Sequence, residues 1–401
     1  MIKEGLFMNT PKSIVLMIVV LNTVAILCAG SVDYLTNQSV PFLRTLARGA
    51  ATDETDAILY NPAGTTQMPD GIYTSFHWQG FTKAYAIKDK AGKKFESNTP
   101  SPFIPSFLAM HKKENLALFF AFTVPAGGGT LEYKDGLQMV SDLGLTDGYF
   151  KGSSIYYGYT LGFAYQVDEM LSFSVASRMI TSIKEYEGKA THPQAGELKL
   201  ESEKSPATSN GGIFGLNLNF LRANIGLKYE TQTTLKYKTK TKVNGFTQML
   251  PQFDNGYVEY RDLPAQLSVG ASLSVTENIN LNAGILYFFL QKAAQDNTLA
   301  YQNYNDGIEY QLGTEYFLNE KWLFSLGYNY IIVGGNKQTY TDFEYQLDSH
   351  FIGAGFRFAP TEQVLINFAL AKPFYQTSKG VSGAEYSKDV NILGVGVEYK
   401  F

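Results

Sequence analysis

From Gly71 to Phe401, large apolar residues alternate with Gly, Ser, Asn and charged residues in one segment after another. The last segment puts Leu393, Val395, Val397, Tyr399 and Phe401 on one face and Gly394, Gly396, Glu398 and Lys400 on the other. Strand side chains point to opposite faces with period two, so such a segment has one greasy face and one wet face. The segment at Leu263 repeats the pattern, with Leu267, Val269, Ala271 and Leu273 against Gln266, Ser268, Gly270 and Ser272. So does the segment at Ile155, with Tyr157, Tyr159, Leu161 and Phe163 against Gly158, Thr160 and Gly162. These runs exceed the roughly 5–6 residues of a soluble strand and match the ~9–11 that cross a bilayer at a tilt.

Alternating runs begin near Gly71, Pro102, Asn115, Ser153, Leu171, Gly212, Ala223, Leu263, Ile279, Gly307, Trp322, Ser349, Val364 and Lys388. The connections between them alternate between tight ones, such as Asp168 to Met170, and long ones, such as Ala126 to Gly152, Glu187 to Asn210 and Thr239 to Asp262. Short periplasmic turns and long extracellular loops give this alternation, and a soluble sandwich has no reason to produce it. The pattern predicts an all-β fold, a transmembrane antiparallel β-barrel of about 14 strands over residues 70–401.

The first 30 residues read as a signal peptide: Lys12, an apolar stretch from Ile14 to Leu27, then the small residues Ala29, Gly30 and Ser31. The stretch is interrupted by Asn22 and Thr23, and no later segment offers about 18 uninterrupted apolar residues, so any membrane span must be β. The sole cysteine, Cys28, precedes the mature chain, which leaves no disulfide and no cysteine metal site. Leu27 before it is bulky where lipidation calls for a small residue. Net charge of −4 carries no nucleic-acid footprint.

Residues 31–69 do not alternate. They are rich in small and turn-forming residues, and Leu35, Phe42, Leu43, Leu46, Ile58, Leu59 and Tyr60 among them call for burial. Either they are a disordered extension or they fold into the lumen as a plug. Arg44-Thr-Leu-Ala-Arg48, Thr52 to Ala57 and Asn61-Pro62-Ala63-Gly64 resemble the N-terminal hatch of the long-chain fatty acid and toluene transporter family of Gram-negative outer membranes, the FadL type. Val124-Pro125-Ala126-Gly127-Gly128-Gly129 and Leu263-Pro264-Ala265 add to the resemblance. It implies a plugged fourteen-stranded barrel in the cell outer membrane that captures hydrophobic molecules, long-chain fatty acids or aromatic hydrocarbons, and releases them laterally at a kinked third strand. The terminal Phe401 is of the kind that barrel assembly machinery reads. No cofactor, catalytic group or metal site is implied, and the expected partners are the hydrophobic solute and outer-membrane lipid, with the chain a monomer.

Such a transporter needs an apolar landing site, an interior pocket and an exit. The loop with Phe246, Met249, Leu250 and Phe253 offers the first, or else these residues form the loop's own core. Parity turns Ser75, His77, Arg178, Lys184, Lys228, Glu230, Glu309, Glu315 and Arg357 inward. Arg178 and Arg357 could hold a ligand carboxylate or pair with carboxylates such as Asp53, Glu54 and Asp56, and a neutral aromatic would need neither. The exit falls on the third strand, where Phe119 lies between Ala117 and Ala121 on an apolar inner face and Pro125 interrupts the ladder, though the strand could simply end there. Asn61, Pro62, Ala63 and Gly64 are assigned to the gate by the resemblance. The rival functions are few. With four histidines on unrelated segments, Ser75 with His77 and Ser349 with His350 are chance pairs, which excludes a catalytic triad. A general porin would leave its lumen open, and a structural or adhesion barrel would transport nothing.

Overall fold

The computed structural model describes residues 38–247, 249–294 and 303–401. The expected signal peptide, Cys28 and the first residues of the plug segment lie outside them. Among the described residues fourteen strands make the wall: β1 (Gly71–Lys88), β2 (Ser101–Lys113), β3 (Leu116–Tyr133), β4 (Thr146–Gln166), β5 (Leu171–His192), β6 (Gly196–Asn219), β7 (Ala223–Glu230), β8 (Gln266–Ser274), β9 (Ile279–Phe288), β10 (Gly307–Phe317), β11 (Trp322–Ile332), β12 (Ser349–Thr361), β13 (Val364–Tyr375) and β14 (Glu385–Lys400). Each pairs antiparallel with the next. β14 returns to β1 in register from Tyr73↔Lys400 to Lys88↔Glu385 and closes the barrel. Closure pairs the first strand with the last, the condition for backbone to lie in hydrocarbon, and leaves a local gap between β2 and β3.

Parity places the side chains as the alternation predicts. Leu161, Leu312, Leu326 and Leu370 stand exposed on the outer face, while Thr160, Gln311, Ser325 and Ala371 beside them are buried inside. An outer face this apolar is stable only against lipid. Tight turns close one end. The Asp168 carboxylate accepts the N–H groups of Met170 and Leu171 at 2.8 Å, and Asn319 Oδ1 those of Lys321 and Trp322 at 2.9 and 3.0 Å. Both are Asx turns, in which a short side chain substitutes for a ladder carbonyl. Just inside the second, Trp322 stacks on Phe358 with ring centroids 4.5 Å apart, part of an aromatic girdle where the wall meets the membrane interface.

At the other end the strands outrun the alternation. β5 and β6 continue as a hairpin joined through residues 193–195, in register from Lys184↔Lys204 to His192↔Gly196, so much of the stretch from Glu187 to Asn210 is ladder and not loop. β4 likewise begins at Thr146 and not near Ser153. Beyond the lipid the outer face need not be apolar, so Glu185, Glu187 and Lys189 face solvent while Tyr186 and Ala190 between them are buried. β3 does not stop at Pro125 but passes two register shifts and runs on to Tyr133.

Candidate ligand cavity and its hatch

Residues 38–69 fill the lumen with two short helices, α1 (Val40–Thr45) and α2 (Ala57–Tyr60), and a 3-10 turn over Pro62–Gln67. Ser39 starts α1: its Oγ accepts the Phe42 N–H at 3.0 Å, and Pro41 sits in the first turn, where a missing N–H costs nothing. The charged residues of this segment pair with one another and with the wall. Arg44, wholly buried, bridges Glu54 at 2.7 Å and Glu315 of β10 at 2.6 Å, and donates to Ser325 and Asn367 on β11 and β13. Arg48 closes on Asp53 at 2.8 Å and Asp56 at 2.6 Å. Arg357 of β12 lies 3.6 Å from Asp53 and 3.4 Å from Glu54. Glu398 of β14 accepts both the N–H and the hydroxyl of Thr55 at 2.7 Å. Buried charge is tolerated only when paired, so hatch and wall carry complementary halves of one network. Ser75 Oγ, 3.1 Å from His77 Nε2, belongs to the same packing against Thr55 and is sealed from solvent.

Asn61 is fully buried, and its Nδ2 donates to Ala51 O at 3.1 Å and Asn217 Oδ1 at 2.6 Å. Ala63 O accepts Ser172 Oγ at 2.8 Å. A Cβ on Gly64 would lie 2.3 Å from Asn61 Nδ2 and 2.4 Å from Ala51 O, which is why glycine follows the Asn-Pro-Ala run. The wall makes room in the same way. A Cβ on Gly226, Gly327 or Gly353 would come within 2.1–2.2 Å of the carbonyl oxygens of Gly49, Thr45 and Leu43. Gly313, Gly327 and Gly353 are direct neighbours across β10, β11 and β12, so the hatch backbone rests in a groove of absent side chains.

Above the hatch lies a cavity of about 70 Å³, bounded by Phe42, Leu59 and Tyr60 from the hatch, Thr123 and Pro125 from β3, and Arg178 from β5. Its polar wall is a triad: Arg178 Nη2 is 2.7 Å from Glu230 Oε2, Lys228 Nζ is 2.6 Å from Glu230 Oε1, and the same ammonium donates to Leu59 O at 2.6 Å. Two cations thus share one carboxylate at the edge of an apolar space.

Beside the cavity the wall changes. The β2–β3 ladder runs from Lys113↔Leu116 to Phe107↔Phe122 and stops. From there Ser101–Ser106 of β2 pair with β1 alone, and β3 from Thr123 onward pairs with β4 alone, with register shifts at Thr123/Ala126 and Ala126/Gly129. Pro125 has no N–H to give, and Gly127 and Gly129 adopt φ of 91° and 75°, the left-handed region that favours glycine. Val124, Pro125 and Ala126 are all buried, so strand parity is lost here. Phe119, before the break, packs with Ile58 of α2, Ala117 and Ala121 in a separate apolar cluster.

The long loops close the far end. Phe246 and Leu250 are buried and Phe253 is 1% exposed, with Met249 against the same core. Phe253 meets Tyr186 with ring centroids 5.0 Å apart, and Phe150 meets Phe343 at 5.0 Å. Leu131, Leu137, Met139 and Phe150 join this core, so apolar residues from both long loops pack against each other.

No family model matches the sequence, and comparison with the curated proteins gave no match. The structure is similar to that of a Pseudomonas aeruginosa FadL homologue, at TM-score 0.70 and 13% identity over 94% of this chain and 100% of that one. It is similar to the Ralstonia pickettii toluene transporter TbuX, at TM-score 0.69 and 17% identity over 92% and 99%. The P. putida toluene transporter TodX matches at TM-score 0.65 and 16% identity over 88% and 97%. The chain has the FadL-type fold.

Within this FadL-type barrel the residues singled out from sequence fall in four places. Arg178 and Pro125 line one cavity, from β5 and β3 on either side of β4. Arg357 is committed to Asp53 and Glu54 of the hatch. Asn61, Pro62, Ala63 and Gly64 seat the hatch against β4 to β7, with Ala63 bonded to Ser172 and Asn61 to Asn217. Phe246, Leu250 and Phe253 lie inside the loop core. Sequence reasoning missed the central position of Arg44 and the glycine groove. Its signal was glycine recurring at inward parity on adjacent strands, which becomes visible only when the register is known.

One loop contact is pH-sensitive. Asp342, in the connection between β11 and β12, is partly buried and accepts the Met139 N–H of a helix α3 (Gln138–Asp142) at 2.6 Å. Burial, opposed by that hydrogen bond and aided by nearby Asp142, pushes its carboxyl up to about 7. A carboxyl raised above its ordinary value gives stability that is complete below the unfolded value and is lost as pH rises to the folded one. The loops should therefore be docked most firmly below about pH 4 and loosen progressively up to about pH 7. A spin label on α3 should gain mobility over that range in the native protein and not in Asp342→Asn.

Proposed function

We propose that this chain is an outer-membrane transporter of hydrophobic small molecules. The observation that carries the reading is the single β3 segment, Thr123 to Gly129, that borders the cavity on one side and a break in the wall ladder on the other. A solute held above the hatch has there a route into lipid that avoids water, while the hatch blocks the axial path. The neighbours' names, a FadL homologue and two toluene transporters, support the same class. The exposed terminal ring of Phe401 supports recognition by the barrel assembly machinery.

The cavity in this state is smaller than the ~150 Å³ pocket that holds benzene, so loading requires hatch or loop side chains to move aside. Arg178 supports an amphiphile with an acidic head as the preferred cargo. It has one ion-pair partner, Glu230, and its Nε has no hydrogen-bond partner among the described residues, so it retains donors for a carboxylate. Mass spectrometry of molecules co-purifying from the native membrane, paired with uptake in a deletion strain, tests the class. Lipid or hydrocarbon should appear and uptake should depend on the gene. Large stable ion conductance in planar bilayers would instead indicate a porin. Arg178→Met should weaken binding of a fatty acid by about tenfold, the loss of one charge-assisted contact, and leave toluene binding unchanged.

A further inference from the structure

The break between β2 and β3 is held shut by side chains in place of a ladder. β1 pairs with β2 only as far as Phe81↔Ser101, and the next extended piece of chain, Lys94–Ser97, pairs with β1 from Tyr85↔Ser97. Across this opening Lys83, a lumen-facing residue of β1, donates from its ammonium to Gly128 O and, at 3.1 Å, to Thr130 O on β3. Ser101 Oγ donates to the same Gly128 O at 2.9 Å, and Ser97 Oγ accepts the Glu132 N–H at 2.9 Å. Left-handed glycines flank Gly128 on both sides and turn its peptide out of the β3–β4 ladder. A Cβ on Gly129 would lie 2.6 Å from Ser101 Oγ, so the close approach is built for glycine.

We propose that Lys83 is the latch of this gap, and that the anionic headgroup of an amphiphilic ligand releases it by taking over the hydrogen bonds of the ammonium. This rests on the lateral-exit reading above. A carboxylate adds the attraction of opposite full charges to the hydrogen bond that a neutral carbonyl also accepts, so a headgroup competes with Gly128 and Thr130 for Lys83, and a neutral solute does not. The headgroup is already near. Pro125 lines the cavity and lies three residues before Gly128, at most about 11 Å along extended chain. The carboxylate thus passes from Arg178, two strands away on β5, to Lys83, and its arrival frees the carbonyls that hold β3 against β1 and β2. Lys83 is in this sense a specificity-determining residue: it makes the exit rate depend on the charge of the cargo.

The test compares oleate with methyl oleate, both labelled, crossing from full-length protein into the surrounding bilayer of proteoliposomes, each rate taken relative to protein-free vesicles. The native protein should pass the acid faster than the ester by about fivefold. Lys83→Met should accelerate the ester and bring the ratio to about one, and Lys83→Arg should restore a preference for the acid. Ser101→Ala removes the other donor to Gly128 O without touching the ammonium, and should speed both ligands alike at an unchanged ratio. A ratio near one in the native protein, or a ratio that survives Lys83→Met while both ligands pass, would overturn the latch. Passage of neither ligand through the native protein would sink the transport reading itself and the latch with it.

Discussion

Arg44→Met should release the hatch and turn the barrel into an open pore. The substitution leaves Glu54 and Glu315 facing each other in a dry interior with their shared cation gone, and strips a donor from Ser325 and Asn367. Removing one partner of a buried ion pair costs about 3–5 kcal/mol where the remaining charge stays buried without compensation, which is the position of Glu315, while Glu54 keeps Arg357 at 3.4 Å. The wall does not depend on this network, since its fourteen strands are closed by backbone pairing from β1 to β14. The cost therefore falls on the hatch. Planar-bilayer recordings should show conductance absent from the native protein, protease should cut within residues 38–69, and the barrel should keep its heat-resistant gel mobility. A sealed, protease-resistant Arg44→Met would mean that the glycine groove and the apolar face of α1 hold the hatch unaided. The double change Arg44→Met with Glu315→Gln removes the excess charge and should recover part of the seal.

Phe253→Ala separates two roles for the apolar long-loop residues. The ring is enclosed by Tyr186, Phe343 and the Lys204 ammonium, whose Nζ is 5.4 Å from its centroid. Truncating a buried Phe costs about 3–5 kcal/mol, here charged to the packing of the loops against each other. As a core residue, Phe253 should on truncation raise the hydrogen exchange of residues 134–145 and 333–348 together, since both segments meet it in one cluster. As a landing site, its truncation should slow ligand capture and leave exchange elsewhere unchanged. The burial of Phe253 favours the first outcome, with capture changed only as the loops loosen.

The loop residues and the inner charges show why a strand pattern is more legible than a site. Leu326 exposed and Ser325 buried on β11 follow from period two and a lipid exterior, which any reader of the sequence possesses. Arg357 and Arg178 had the same parity and the same charge, and nothing in the sequence told them apart. One meets Asp53 and Glu54 on the hatch, the other Glu230 beside a cavity, because their strands sit at different places around a closed barrel. The β5–β6 hairpin shows the opposite limit. Where the strands leave the lipid, the outward face turns polar and the buried face points inward while the backbone ladder continues, so Glu187 to His192 lacked the apolar-outward alternation of the wall.

By itself the sequence determined the class of the wall, its strand order and the side of every strand that meets lipid, because these depend on local period and on the solvent outside. Tertiary structure alone decided where the hatch sits, which of two arginines faces the cavity, and that Lys83 on β1 reaches Gly128 on β3. Each of those contacts joins residues from elements whose relative height and register are set by closing fourteen strands around a plug. No local pattern encodes that geometry.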